Sequence, residues 1–202
     1  MDQAKIRLSP TEMEMATSAD LILTKNAILQ KVNQLLAGLQ QQHAFLVYST
    51  ECLPPALTGS SPKISRGENY KGLPYFMLDY PRVFEQENIA AIRTMFWWGN
   101  FFSVTIHLSG TYKKKAEKKI MEFWPRLKEK GFYICINEDQ WEHHFETDNY
   151  QPLIVLTGEQ QHDLVYKRSF IKIANKIAIT EWEDAPAQLT IFFEQLLLLL
   201  QD

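Results

Sequence analysis

The sequence predicts an α+β fold: a mainly antiparallel sheet containing a central β-hairpin, at about residues 89–109, packed by N-terminal, central and C-terminal helices. Three observations carry this expectation. Apolar residues near the start recur at helical spacing, two strand-like runs flank Gly99-Asn100, and the stretch after Asp184 is leucine-rich. The length of 202 residues suits one domain, with residues 1–42 as a helical layer, 43–180 as a mixed core and 184–201 as a closing helix.

Ser9-Pro10-Thr11-Glu12 has the pattern of a capping box with proline in the first turn, so hydroxyl and carboxylate can satisfy amides that a helix start leaves unpaired. Beyond Thr17 and Ser18, Ile22, Leu29, Val32, Leu36 and Leu39 share one helical face, while Lys25, Gln30, Lys31 and Gln34 take the other. This long amphipathic helix is expected to end near Gly38. Residues 43–49 read as a short apolar strand. Residues 50–70 are punctuated by Pro54, Pro55, Gly59, Pro62 and Gly67, and a structureless loop of roughly 20 residues is uncommon unless it serves a function. Residues 73–80 lie between Pro74 and Pro81 and suit an edge strand.

Around Gly99-Asn100, glycine at the first central position of a two-residue loop fits a type II′ turn. That closure pairs Trp98 with Phe101, Met95 with Val104 and Arg93 with Ile106. One face then carries Arg93, Met95, Trp97, Phe102, Val104, Ile106 and Leu108; the other carries Ile92, Thr94, Phe96, Ser103, Thr105 and His107. The aromatic run at this tip is expected to pack inward rather than serve as a stacking platform.

Residues 111–130 read as a helix with Tyr112, Ala116, Ile120, Phe123 and Leu127 inward, bent at Pro125 and stopped at Gly131. Residues 132–136 form a strand, 139–146 a short helix, 153–156 an apolar segment and 158–166 a helix. In residues 169–180 the β-branched Ile171, Ile173, Ile177 and Ile179 favour a strand over a helix.

Composition excludes several classes. A net charge of -3 gives no overall attraction to phosphate backbones, so no nucleic-acid partner is expected. Two cysteines, Cys52 and Cys135, are too few for a disulfide framework and imply a reducing compartment. With no apolar leader pattern, a cytoplasmic location is expected. The apolar run 196–200 is far shorter than the roughly 20 residues of a membrane span, so no membrane partner is expected.

Candidate chemistry concentrates between residues 63 and 107. Gly67 and Gly72 let the backbone turn, and Arg66, Lys71 and Arg82 offer donors for a phosphate or carboxylate. Arg93, inside an apolar face in the expected register, requires a carboxylate partner, with Glu68 and Asp79 the nearest along the chain. The expected ligand-binding set is Arg66, Glu68, Tyr70, Lys71, Asp79, Arg82 and Arg93. His107 among hydroxyls is a candidate general base, with Glu68 or Asp79 as proton-transfer partners. On a helix, Asp139, His143 and Glu146 would share a face, but no second ligand pair accompanies them, so neither a metal nor a cofactor is expected. Lys113 to Lys119 read as a solvated helix face diluted by Glu117 and Glu122.

Three readings follow. The first is a binding module holding a small anionic ligand in a cleft between residues 63–82 and the hairpin. The second is a homodimer joined through the leucine-rich C-terminal helix, and the third a hydrolase or transferase using the same cleft.

Overall fold

The computed structural model describes residues 6–201. In chain order these form α1 (Pro10–Thr17), α2 (Ala19–Ser49), α3 (Pro55–Thr58), β1 (Lys63–Tyr70), β2 (Leu73–Phe84), β3 (Ile89–Trp97), β4 (Phe101–Ser109) and α4 (Gly110–Glu129). There follow β5 (Tyr133–Cys135), β6 (Tyr150–Pro152), α5 (Gly158–Tyr166), β7 (Phe170–Ala178) and α6 (Ala185–Leu197). The architecture is α+β. Every strand pairing is antiparallel, and the sheet order is β1-β2-β3-β4-β7-β5-β6.

Helices α2, α4 and α6 cover one face of this sheet. Phe76, Leu78, Ile92, Phe96, Phe102 and Ile106 pack there against Leu36, Ile120, Leu189 and Phe193. Each such side chain contributes about 1.5–3 kcal/mol by leaving water. The α6 leucines Leu189, Leu196 and Leu197 are buried within this chain. Among the described residues no helix is long and apolar enough to cross a membrane.

The α1 capping box forms as expected, with the Ser9 hydroxyl accepting from the Glu12 amide and the Glu12 carboxylate from the Ser9 amide. Several other local expectations are corrected. The α2 helix runs through Gly38 to Ser49, because His43 and Val47 continue the buried stripe of Val32, Leu36 and Leu39, so residues 43–49 are not a strand. Residues 63–70 are a strand rather than loop, held by pairing to β2. That pairing makes β1 the edge and β2 interior. Pro74 lies at the start of β2 and Pro81 where its register against β3 shifts, so neither missing amide breaks a regular ladder. Residues 139–146 are irregular, with a turn at 140–141, and Leu153–Val155 is one turn of 3₁₀ helix.

The largest correction is the hairpin register. Trp97, not Trp98, pairs with Phe101, and Arg93 pairs with Thr105. The Asn100 amide donates to the Trp97 carbonyl at 3.1 Å, closing a turn in which Gly99, at φ 71°, holds the third position rather than the second. A slip of one residue moves a whole strand's side chains between faces. Arg93, Met95 and Trp97 therefore share a face with Phe101, Ser103, Thr105 and His107, while Ile92, Phe96, Phe102 and Ile106 point to the helices.

Candidate functional site

The sheet face turned away from the helices is polar at its centre and buried nonetheless. Across one row lie Asp79 on β2, Arg93 on β3, Thr105 on β4, Ala174 on β7 and Tyr133 on β5. In the adjacent row His107 pairs with Lys172, and Tyr150 of β6 pairs with Cys135 of β5. Thr105 and Ala174 are small. They form a floor around which the long side chains of Arg93, His107, Lys172 and Tyr150 stand.

Residues 136–149 close over this floor as an irregular strap. Gln140 meets His107 Nε2 at 2.9 Å, and Trp141 packs edge-on to the same imidazole. Phe145 stacks on Tyr150 and meets Phe101 and Tyr133 at their edges. The Lys172 ammonium donates to the Glu142 carbonyl and lies 5.3 Å from the Tyr150 ring centre. Tyr70 latches the strap to the sheet: its hydroxyl donates to Glu142 at 2.8 Å and accepts from the amides of His143 at 2.7 Å and His144 at 3.0 Å.

Charge in this chamber is unevenly compensated. Arg93 donates through Nε to Asp79 at 2.7 Å, a pair almost wholly withdrawn from water. Glu142 is engaged by Lys71 at 3.3 Å, His144 at 3.2 Å and the Tyr70 hydroxyl, on the outer side of the strap. Among the described residues Lys172 has no carboxylate within ion-pair distance, although Asp139 and Glu142 lie near enough to favour its charged form. Burial, reinforced by Arg93, pulls the Lys172 ammonium down to about 8. Burial with the charges of Lys172 and Arg93 pulls His107 down to about 3, and the same causes hold His143 well below its usual range. Both imidazoles are neutral at pH 7. Burial likewise keeps the Tyr150 phenol well above its ordinary value and hence protonated.

Among the described residues two buried polar atoms here have no hydrogen-bond partner, Arg93 Nη1 and His107 Nδ1, while the buried Tyr150 hydroxyl lies beside the Thr105 side chain. Leaving such a group unpaired costs about 1–3 kcal/mol, so two on one floor mark a place built for something polar.

The residues singled out from sequence fall in several places. Arg66 and Glu68 face α2 on the opposite side of the sheet, where Glu68 pairs with Lys25 at 3.0 Å. Arg82 donates through Nε to the Ser61 carbonyl at 2.9 Å. Tyr70 and Lys71 reach the strap, and Asp79, Arg93 and His107 belong to the chamber. Arg93 thus has its carboxylate, supplied across the strands rather than by the loop. Because residues 139–146 are not helical, Asp139, His143 and Glu146 do not share a helix face; among the described residues no group of three potential ligands is placed to hold a metal ion. Lys113 is buried against Glu117 at 2.7 Å, so the basic stretch is partly internal.

Sequence reasoning passed over Lys172, Tyr150 and the closing role of His143. For Lys172 a signal was present: a lysine between Ile171 and Ile173 in a strand marks a second face, which alternation alone assigns to solvent.

Comparison with known proteins finds no matching family model, no similar curated protein and no similar solved structure.

Proposed function

We propose that this chain is a binding module for a small oxyanion held on the polar sheet face beneath the strap. The observation that carries the proposal is that Arg93 Nη1 and His107 Nδ1, both buried and without a hydrogen-bond partner among the described residues, share one sheet face with the buried Lys172. An anion pairs with the Lys172 ammonium and accepts from Arg93, gaining the strength of hydrogen bonds to ionised donors.

The imidazole adds selectivity. His107 is neutral and gives its Nε2 proton to Gln140, so Nδ1 is an acceptor. The preferred ligand therefore carries a donor of its own, as hydrogenphosphate or a hydroxy acid does and sulfate or acetate does not. A site that hydrogen-bonds a ligand O–H strongly rejects the analogue lacking it, because its own buried group is then left bare. Entry requires the strap to lift, since Lys172 and His107 have no exposed surface.

The test is an amide NMR titration at pH 7 with phosphate against sulfate and glycolate against acetate. Saturable shifts at His107, Tyr150, Lys172 and the strap, with phosphate preferred over sulfate and the effect lost in Lys172→Met, support the reading. Shifts confined to exposed lysines, or equal for phosphate and sulfate, reject it.

A further inference from the structure

At the far edge of the sheet, β1 has a neighbour on one side only. Half of an edge strand's backbone donors and acceptors face outward, available to another strand. Its regular stretch against β2 covers Lys63 to Gly67, after which the register shifts before Tyr70. Directly alongside, between β1 and α2, runs a groove of about 710 Å³.

Two parallel rows define that groove. Asn26, Gln30 and Asn33, spaced so as to share one helical face, present carboxamides along α2. Opposite them Ile64, Arg66 and Glu68 alternate along β1, and Leu29 and Phe76 supply an apolar floor. Within the described residues none of Asn26, Gln30, Asn33 and Arg66 has a side-chain hydrogen bond or ion pair. Exposed carboxamides with no protein partner, next to an unpaired strand edge, suit a backbone, which needs both donors and acceptors. Charge selects the partner: Lys25 is matched by Glu68, leaving Arg66 and Lys63 uncompensated beside the edge.

We propose that β1 and this groove dock an extended acidic segment of a partner protein, which adds to the sheet as a further strand antiparallel or parallel to β1. Backbone pairing supplies affinity, and alternate side chains entering the groove supply specificity. The cations that discourage pairing with a neutral apolar strand favour an acidic one.

The probe is a short acetylated, amidated peptide of alternating valine and glutamate, followed by fluorescence anisotropy and by amide exchange at residues 63–67. Slowed exchange on β1, with binding weakened about tenfold or more both by Arg66→Glu and by N-methylation of alternate peptide amides, is the expected result. A peptide with lysine in place of glutamate should not bind. Binding that N-methylation leaves unchanged would overturn strand addition in favour of simple charge attraction. Protection of β1 that appears without peptide, rises with protein concentration and accompanies a doubled mass in light scattering would overturn the proposal in favour of a second copy of the chain.

Discussion

Acidification between pH 6.5 and 5 should destabilise this protein sharply, and the depressed histidines His43, His107 and His143 set the size of the effect. His43 lies between α2 and α6 with no exposed surface, its ring stacked on Phe193 at 3.6 Å and both nitrogens unpartnered. Burial alone pulls it down to about 3. His107, on the other face of the sheet, is held at about 3 by burial and by Lys172 and Arg93. In the unfolded chain both titrate near 6.5. Because the folded values are depressed, the stability they contribute is complete above pH 6.5 and declines as pH falls toward 3. Each costs up to about 1.4 kcal/mol per pH unit in that window, so His43 and His107 together cost about 3 kcal/mol between pH 6.5 and 5, and His143 adds to the loss in the same direction. That is a large part of a typical total of about 5–15 kcal/mol. Carboxylates such as Glu142 and Glu117 are held below their usual range and titrate later. Urea unfolding followed by tryptophan fluorescence at pH 7, 6 and 5 measures the slope directly. His43→Leu removes one titrating ring of three and two unsatisfied nitrogens, so it should lower the slope by roughly a third and raise stability at pH 5. Equal midpoints at pH 7 and 5, or imidazole resonances of His43 and His107 titrating near 6.5, would refute the reasoning.

Other perturbations separate the strap from the sheet. Tyr70→Phe strips Glu142 and two strap amides of one shared partner, and should cost about 2–4 kcal/mol; hydrogen exchange should speed up in residues 137–149 while β3 and β4 stay protected. Arg93→Met leaves the Asp79 carboxylate buried and alone, at a cost of about 3–5 kcal/mol, whereas Asp79→Asn combined with Arg93→Met should recover most of it in a denaturation cycle. Gly110→Ala places a methyl 2.4 Å from both Asn88 Oδ1 and the Glu87 carbonyl at φ 56°, so thermal unfolding should show a loss of at least about 2 kcal/mol.

The α+β class was legible because its evidence is local. Helical stripes, the Ser9 and Glu12 capping pattern and the β-branched alternation around Ile173 each need only a few neighbouring residues to be read. The end of α2 was not legible, since nothing near His43 says that it will meet Phe193 on a helix distant in sequence. Residues 63–70 became a strand for the same reason: their partner, β2, supplies what their own glycine and charges do not.

The polar chamber was hidden by a different physical circumstance. Alternation identifies a register when one sheet face is wet, because the wrong register then exposes apolar side chains. Here all nine positions of β4 are buried, so neither register carries that penalty, and the placement of Gly99 within its turn decides. Reading that glycine one position off put Arg93 among Val104, Ile106 and Leu108, where it looked like an isolated charge needing rescue. In the actual register Arg93 lies between Asp79 and Thr105, in the row beside His107 and Lys172. The need for a carboxylate was inferred correctly from a wrong environment, since burying a guanidinium demands one in either setting. What the wrong register concealed was the company it keeps: a second buried cation, Lys172, and an unpartnered imidazole nitrogen, His107 Nδ1, which no ion pair accounts for. An ion pair that only pins one strand to another would leave no such remainder, and it is that remainder, rather than Arg93 itself, that argues for a ligand.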